Sequence, residues 1–363
     1  MRIGLIGCRG IPNYYGGFEQ FAEYLSVGLV EAGHEVVVYN SHTHPYQESE
    51  YKGVEIRHIY DPENRIGTAG QFVYDFLSIR DSRKQNFDII LQLGYTSSTV
   101  FSWYFPKNAV LITNMDGLEW SRSKYSKKVQ KFLQYAESLG VRHSDHLIAD
   151  SLGIQEYLKS KYGAESTYIP YGAHVVKNFD EQALGEFNLE KYQYNMLIAR
   201  LEPENNIEMI LEGIAASSVQ IPFLVVGKHE TSFGEYLKGK FSDSRIRFVG
   251  AVYDMEKLNT LRGFSNLYFH GHSVGGTNPS LLEAMASNAL ICANDNKFNS
   301  TILEEDAFYF SSSKDVTKFA ESIRKEDYGT FLANNVKKIE TIYTWPNIVD
   351  SYEELFKGLL ANK

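Results

Sequence analysis

YFHGHSVGGTNPSLLEAMASNALICAND, the stretch from Tyr268 to Asp295, contains the pattern that decides the fold of this chain. A short apolar strand leads into a loop without bulky side chains at its centre, then into a helix and a second apolar strand. This alternation predicts parallel strands covered by helices. Asn278 is a good N-cap, and Pro279 suits the first helical turn, where its missing N–H costs nothing.

The glycines of this loop predict a binding site for phosphate. Gly275 and Gly276 let the backbone approach a ligand closely because neither carries a Cβ atom. The first N–H groups of the following helix are unpaired and lie at the positive end of its dipole, which favours an anion. Glu283 follows about one turn into the helix, where a carboxylate can accept hydrogen bonds from ribose hydroxyls. A glycine loop before a helix also occurs without any ligand, and that alternative stays open.

The same segment resembles the second half of the donor-site motif of family four of the retaining, GT-B-fold glycosyltransferases. In that family two glutamates flank the loop in the pattern E-x7-E. Glu283 matches the second glutamate, and Gly275 stands where the first is expected. The resemblance implies that Glu283 belongs to the catalytic site. It also implies that backbone N–H groups at Gly275, Gly276 and Thr277 contact the donor, with Asn278 beside them.

Length and composition are typical of a globular protein with two domains. The chain has 363 residues, of which 43% are hydrophobic and 22% charged. A net charge of −9 argues against nucleic-acid binding, which needs clustered Lys and Arg. The aromatic content of 14% fits either ordinary core packing or surfaces that stack on sugars.

The cysteines and the start of the chain predict where the protein works. Cys8 and Cys292 lie in apolar, strand-like contexts and are too few for a disulfide framework or a metal site, which fits a reducing compartment. The first residues form a strand, without the basic run and long apolar region of a signal peptide. No apolar run approaches the roughly 20 residues that span a bilayer. We therefore predict a cytoplasmic protein.

The opening segment of the chain, GLIGCRGIPNYYGGFEQFAEYLS, starts another strand–helix–strand unit of the kind found in a doubly wound parallel sheet. The G-x-G-x-x-G spacing of a dinucleotide site is absent from it. Gly16 and Gly17 lead instead into a helix start, where a ligand can bind. Glu19, in the first helical turn, either complements the helix dipole or binds a sugar hydroxyl.

This opening is similar to the amino-terminal signature of a bacterial subgroup of the same family, which includes domains of unknown function and rhamnosyltransferases. The resemblance implies that Gly16 and Gly17 touch the donor phosphate and the acceptor. It implies deoxythymidine diphosphate (dTDP) rhamnose as the favoured donor, with UDP-linked sugars as the other candidates. The implied acceptor is lipid-linked or an oligosaccharide, at the inner face of the cell membrane.

A further candidate loop follows the apolar strand in NAVLITNMDGLEWSRSKYS. Many members of the family carry a histidine near this loop, and Asp116 takes that place; its carboxylate could accept the acceptor's proton or stabilise positive charge on the sugar. Asp116 could equally form a turn before Gly117. Glu119 and Trp120 are candidates for binding the acceptor, although Trp120 could simply line the site without contacting a sugar. The lysines from Lys124 to Lys131 form either a solvated helix face or a contact with an anionic membrane.

The second half of the chain repeats the alternation, with Arg200 at the end of a predicted strand. A guanidinium there can bind a diphosphate in bidentate fashion. The family pattern is R-L-x-P-E-K-N and this chain has RLEPENN. The resemblance implies that Asn205 binds the donor in place of the family's lysine, and that more of the catalytic role falls on Arg200. The resemblance places Tyr253 near the nucleobase, where it covers the base or only packs. His272 could face the donor or be a hydrogen-bonded core residue.

Together these features predict an α/β protein of the GT-B fold, with two Rossmann-like, doubly wound parallel-sheet domains facing across a cleft. We expect an acceptor-side domain at 1–172, a nucleotide-sugar domain at 173–344, and a terminal helix at 345–363 that packs back on the first domain. The predicted activity is transfer of a hexosyl unit from a nucleotide diphosphate sugar to a saccharide hydroxyl, with retention and without metal or cofactor, in surface polysaccharide synthesis. Two alternatives stay open: an epimerase of the same fold, and a nucleotide-sugar-binding protein without catalysis.

Overall fold

Two separate β-sheets organise the chain, one in each of two units. The computed structural model describes residues 1–14, 16–122 and 124–361. The first unit comprises Met1–Ser121, Tyr125–Tyr171 and Trp345–Lys363, and the second comprises Arg122–Lys124 and Gly172–Thr344.

The first unit contains an eight-stranded sheet. Its strands are β1 Arg2–Ile6, β2 Glu35–Ser41, β3 Glu50–Tyr51, β4 Val54–Ile59, β5 Ile89–Leu93, β6 Val110–Asn114, β7 His146–Ala149 and β8 Thr167–Tyr168. They pair in the order β3-β4-β2-β1-β5-β6-β7-β8. Every neighbouring pair is parallel except β3 with β4. All residues of β5 and β6 are buried, as expected for central strands covered on both faces.

Helices cover this sheet because their apolar residues recur at helical spacing. The helices are α1 Gly17–Glu31, α2 Glu63–Ile66, α3 Gly70–Ser82, α4 Lys127–His143 and α5 Leu152–Tyr162. In α1, Phe21, Leu25 and Leu29 lie on one face and are all buried. That stripe packs the helix onto the unit and leaves its first turn at the end of β1.

The second unit contains a six-stranded sheet that is parallel throughout. Its strands are β9 Asn195–Ile198, β10 Phe223–Val226, β11 Ile246–Gly250, β12 Leu267–His270, β13 Ile291–Asn294 and β14 Phe308–Phe310, in the order β11-β10-β9-β12-β13-β14. Its helices are α6 Ile207–Ala216, α7 Ser232–Lys240, α8 Met255–Phe264, α9 Pro279–Ala286, α10 Lys297–Leu303, α11 Ser313–Ser322 and α12 Gly329–Thr341. The predicted α/β class with two doubly wound parallel sheets is confirmed.

The last helix, α13 Trp345–Ala361, belongs to the first unit. Trp345 stacks on Tyr24 of α1 with ring centroids 4.6 Å apart. Phe21 of α1 lies against Tyr352, with ring centroids 5.4 Å apart. The wide apolar stripe of α13 is therefore buried against the first helix of the chain.

Two segments differ from the sequence-based expectation. The run from Leu139 to Ser151 (LGVRHSDHLIADS) predicts a strand at its start, but residues 139–143 end α4 and the strand begins only at His146. The charged run FDEQALGEFNLEKYQ predicts a linker, but it contains the 3₁₀ helix Glu181–Phe187, in which Ala183 and Leu184 are buried. In the second segment the helical turn buries two apolar side chains, which favours the helical form. Among the described residues, no helix is long and apolar enough to cross a bilayer.

Candidate functional site

In the second unit, loops from two strands meet at the point where the strand order reverses. β9 lies between β10 and β12, so the chain moves to one side of β9 first and to the other side later. Open parallel sheets bind ligands outside the carboxyl ends of their strands at such a point. Arg200 follows β9 and the loop from Gly271 to Asn278 follows β12, so both lie at this edge.

Hydrogen bonds fasten these two loops to each other. The Asn206 side chain donates from Nδ2 to the carbonyl oxygen of Gly271 at 2.8 Å, and Ser273 donates from Oγ to that of Glu204 at 2.7 Å. A Cβ atom on Gly271 would lie 2.0 Å from the carbonyl oxygen of Asn205. Glycine is therefore required at position 271 by the close approach of two backbones.

The glycine loop lines a small pocket in the second unit. Its walls are His272, Ser273, Val274, Gly275, Gly276, Asn278, Phe298 and Asn299. Gly275 has a φ of +132°, and a Cβ atom there would meet nothing within 4 Å. The predicted N-cap is present, because Asn278 accepts a hydrogen bond from the N–H of Ser280 at 2.9 Å. Thr277 is buried beside it. The structure thus brings the predicted loop and helix start to one pocket.

Two asparagines that were not singled out from the sequence hold the start of this loop. Asn296 and Asn299 each donate from Nδ2 to the carbonyl oxygen of His272, at 3.0 and 3.1 Å. Asn296 is also the N-cap of α10. The N-cap could be predicted from the sequence. The hydrogen bonds to the carbonyl oxygen of His272 could not, because His272 lies more than 20 residues earlier in the chain.

The histidine of the pocket, His272, is uncharged, although the arginine near it, Arg200, is charged. Burial lowers the pKa of His272 to about 3, and the positive charge of Arg200 adds to the shift. His272 is therefore neutral near pH 7 and acts there only through hydrogen bonds. Its Nδ1 atom has no hydrogen-bond partner within the ranges that the structure describes. Its ring stacks on that of His270, with centroids 4.4 Å apart.

Arg200 and Asn205 take different positions at this edge. The Arg200 side chain is exposed. Asn205 is only 6% exposed, and its Nδ2 donates to the carbonyl oxygen of Arg200 at 2.7 Å. Asn205, which stands where the family has a lysine, therefore shapes the turn that carries Arg200. The cation that the resemblance expects at Asn205 is replaced by a structural hydrogen bond.

Glu283 is held by an arginine that no sequence motif indicated. Arg262 of α8 is 1% exposed, and its Nη2 donates to Oε2 of Glu283 at 2.6 Å. Its Nη1 donates to Oδ1 of Asn259 at 3.1 Å. The ion pair orients the Glu283 carboxylate, whose side chain is 19% exposed. An arginine at a buried helix position is unusual and was the only sequence signal for this partner.

Tyr253 lies apart from this group of residues. It follows β11, is 84% exposed and does not line the pocket. Across the described part of the chain, no cluster of three or more His, Cys, Asp or Glu side chains is arranged to hold a metal ion.

In the first unit, the predicted residues at the chain's start lie where α1 begins. Gly16 is the N-cap of α1, in extended conformation, and Gly17 is its first residue. Glu19 is 5% exposed, and its Oε1 accepts a hydrogen bond from the backbone N–H of Arg9 at 2.8 Å. Glu19 therefore fastens the loop after β1 to the first turn of the helix.

Asp116 lies in a tight turn after β6. Its φ is +40°, in the left-handed region, and its N–H donates to Oδ1 of Asn114 at 3.1 Å. The Asx turn expected at this loop is therefore formed by Asn114. Burial raises the pKa of Tyr171, and the charges of Asp116 and Glu19 add to the shift, so both acids lie near one phenol.

A buried carboxylate that was not singled out from the sequence positions Glu119 and Trp120. Glu137 is 1% exposed and accepts hydrogen bonds from Nε1 of Trp120 at 3.1 Å and from Nζ of Lys161 at 2.8 Å. The ammonium of Lys161 also lies 5.3 Å from the Trp120 ring centroid. The hydroxyl of Tyr95 donates to Oε2 of Glu137 at 3.3 Å and accepts from the N–H of Glu119 at 3.2 Å. The indole N–H of Trp120 is therefore already used within the protein.

The first half of the chain matches a known sequence family. A family model described as a domain of unknown function (DUF1972) matches residues 1–174, slightly less than half of the 363 residues. The match contains every candidate residue of the first unit and none of the second. A search of curated proteins finds no match to the chain.

Solved structures match along the whole chain. A sucrose-phosphate synthase from Thermosynechococcus elongatus has a TM-score of 0.81 at 18% identity and is covered completely, as is this chain. HepE from Anabaena, solved in complex with UDP-glucose, has a TM-score of 0.77 at 14% identity, covering 98% of this chain and 99% of HepE. An α,α-trehalose 6-phosphate synthase from Burkholderia multivorans has a TM-score of 0.73 at 12% identity, and the match covers 99% of this chain and 97% of the synthase. At these identities the likeness concerns the fold, and the predicted GT-B fold is confirmed.

Proposed function

We propose that this chain is a glycosyltransferase that moves a hexosyl unit from a nucleotide diphosphate sugar to a saccharide hydroxyl. The observation that carries the proposal is the arrangement at the carboxyl edge of the second sheet. There the exposed guanidinium of Arg200, the glycine loop around Gly275 and the amino terminus of α9 lie at the point where the strand order reverses. Each of these groups binds phosphate oxygens, and together they suit a diphosphate.

The proposed reaction creates two charges that the protein must stabilise. Negative charge grows on the departing diphosphate, and positive charge grows on the sugar. The guanidinium of Arg200, the backbone N–H groups of the glycine loop and the positive end of the α9 dipole stabilise the first. The neutral imidazole of His272 adds a hydrogen bond without adding charge. These groups supply positive potential of the kind that a metal ion supplies elsewhere, which is why we propose transfer without a metal.

On the acceptor side, the reaction uses residues of the first unit. Asp116 accepts the proton of the acceptor hydroxyl. Glu19, Glu119 and Trp120 bind the acceptor sugar. Retention of configuration rests on the family resemblance of the donor loop.

We favour L-rhamnose from dTDP-rhamnose as the donor, because the opening segment resembles a subgroup that includes rhamnosyltransferases. UDP-linked sugars are the next candidates, since HepE was solved with UDP-glucose. The proposed acceptor is a lipid-linked saccharide or an oligosaccharide of a bacterial surface polysaccharide. That assignment places the enzyme in the cytoplasm, at the inner face of the cell membrane.

Incubation with nucleotide sugars tests the proposal. Purified protein receives dTDP-rhamnose, UDP-glucose or other sugar nucleotides, with and without a lipid-linked acceptor and with and without a chelator. Release of nucleoside diphosphate that depends on acceptor and survives the chelator is expected, and NMR of the product checks retention. A sugar isomer formed without acceptor would indicate an epimerase. Tight binding without turnover would indicate a binding protein, an alternative favoured by Gly275 and Asn205 in place of the family's charged residues.

Arg200→Ala is the most direct single substitution that tests the proposed reaction. Loss of the charge contact should lower kcat/KM by about 100-fold or more, and Arg200→Lys should restore part of it. Arg324→Ala is the matched control, because Arg324 is also an exposed arginine of the second unit. Near-normal turnover of Arg200→Ala would remove Arg200 from the mechanism.

A further inference from the structure

One surface of the first unit joins three elements through aromatic contacts. Phe72 of α3 packs on Phe132 of α4, with ring centroids 5.7 Å apart. Phe76 of α3 stacks on Tyr104 of the 3₁₀ helix Thr99–Tyr104, with ring centroids 5.4 Å apart. The outer sides of α3, of this 3₁₀ helix and of the first half of α4 therefore lie side by side. We call them the α3–α4 surface.

Large apolar side chains of the α3–α4 surface face solvent. Trp103 packs beside Tyr104, with ring centroids 5.2 Å apart, and yet is 71% exposed. Tyr135 of α4 is 57% exposed, and Val73 of α3 is 36% exposed. Single exposed apolar residues are ordinary, but a group of them on neighbouring elements marks an interaction surface.

The exposed charges around these side chains are all positive. In α3, the 3₁₀ helix and α4 up to residue 136, together with the residue after α3, the exposed charged residues are Arg80, Arg83, Lys127, Lys128 and Lys131. The two acids of α3 do not oppose them, because Asp75 is buried and Asp81 pairs with Arg57 at 2.7 Å. The whole chain has a net charge of −9, so positive charge is concentrated on this face.

Helix α4 presents its lysines beside the aromatic groups. Lys128, Lys131, Phe132 and Tyr135 recur at spacings of three and four residues, so they share one face of the helix. Since Phe132 touches Phe72, that face borders α3. Cationic and aromatic side chains are therefore neighbours.

We propose that the α3–α4 surface docks on a bilayer that contains anionic phospholipids, with its lysines at the headgroup phosphates and Trp103 in the interfacial layer. Tryptophan and tyrosine prefer that layer because each has an apolar ring and a polar tip. Lysines near anionic lipid are attracted in a way that salt weakens. Neither inserted aromatic side chains nor lysine clusters alone hold a protein firmly on a membrane, and the α3–α4 surface has both.

Vesicle binding tests the docking without any sugar nucleotide, so its failure would leave the proposed reaction standing. Purified protein is sedimented with vesicles of phosphatidylcholine alone or mixed with phosphatidylglycerol. We expect binding only to the mixed vesicles, falling as salt is added. We also expect a blue shift of tryptophan emission that is lost in Trp103→Phe, because Trp120 is half-buried and Trp345 is buried.

Charge-reversal pairs locate the binding. Lys128→Glu with Lys131→Glu should lower binding to the mixed vesicles by about tenfold or more. The matched control, Lys314→Glu with Lys318→Glu, makes the same change at two exposed lysines of α11 and should lower binding by less than about twofold. Trp103→Ser should lower it by about fivefold or more. Unchanged melting temperatures of all variants verify that they are folded.

Three results of the vesicle experiments would overturn the docking proposal. They are equal binding to phosphatidylcholine alone, equal losses in the two lysine pairs, and no emission shift from Trp103. Self-association that Trp103→Ser abolishes would also overturn it, because the partner would then be a second copy of this chain. Preferential binding of nucleic acid by the same lysines would count against it too.

Discussion

Asp116 shows how one residue combines a conformational and a chemical requirement. Its backbone lies at φ +40°, a region that Asp and Asn visit more readily than most residues because their side chains can hydrogen-bond locally. The Asx turn around it is formed by the side chain of Asn114 and does not use the Asp116 carboxylate. Conformation and chemistry can therefore be tested separately at this position.

Asp116→Asn should preserve the turn and abolish acceptance of the acceptor's proton. The amide tolerates the left-handed backbone, so the melting temperature should stay within about 2 °C, whereas kcat should fall by about tenfold or more because an amide cannot accept the acceptor's proton. Asp116→Ala is the comparison, and strain at positive φ should cost it about 1 kcal/mol of stability. Turnover of Asp116→Asn near that of the natural chain would exclude Asp116 as the base.

At the scale of elements, the 3₁₀ helix Lys325–Tyr328 begins with a buried lysine. Lys325 is 2% exposed, its Nζ donates to the carbonyl oxygen of Gly263 at 2.5 Å, and it lies 5.3 Å from the Tyr192 ring centroid. Burial lowers the pKa of Lys325 to about 7, and the charge of Lys191 adds to the shift. The amine thus loses its proton near neutral pH in the folded chain but only in alkaline solution when unfolded.

Lys325 should make the stability of the second unit depend on pH. Between about pH 7 and pH 10 the unfolded state binds one more proton than the folded state, so the free energy of unfolding rises with pH by about 1.4 kcal/mol per unit from this group. Lys325→Met removes that dependence. Its stability advantage over the natural chain should therefore shrink as pH rises, measured by urea unfolding followed by circular dichroism. A difference that stays constant with pH would show that Lys325 does not titrate in this range.

At the scale of the whole molecule, the end of the chain closes the first unit by packing on its beginning. A Cβ atom on Gly28 of α1 would lie 2.5 Å from Cγ2 of Val349 of α13, so the two helices approach closely at this glycine. All three tryptophans, Trp103, Trp120 and Trp345, belong to the first unit. Tryptophan fluorescence therefore reports on the unfolding of that unit alone.

Gly28→Ala should separate helix packing from helix propensity. Overpacking against Val349 should lower the free energy of unfolding of the first unit by about 1 to 3 kcal/mol. Gly358→Ala, at an exposed position of α13 where a Cβ atom meets nothing within 4 Å, should raise it by up to about 1 kcal/mol through helix propensity. Urea unfolding followed by tryptophan fluorescence measures both. Equal effects of the two changes would mean that α13 does not pack tightly on α1.

The class of the fold could be predicted from the chain because its signals are local. The alternation around the Gly275 loop, the Asn278 cap and the apolar stripe of α1 depend on residues a few positions apart, where period and capping act. The apolar stripe of α13 predicted its burial for the same reason. Segment boundaries were less certain, as at residues 139–143, because the pattern does not show where a helical run stops.

The arrangement of the candidate site could be predicted from the sequence only in part. Sequence position marked Arg200, His272, Gly275 and Glu283, because strand ends and glycine loops are visible in one dimension. Only the tertiary structure decided that Asn205 shapes a turn. The same holds for the partners that hold Glu283 and Trp120, and for the aromatic and basic groups that share the α3–α4 surface. These partners lie up to tens of residues apart along the chain, and nothing in a local pattern specifies which distant side chain a fold brings within hydrogen-bonding distance.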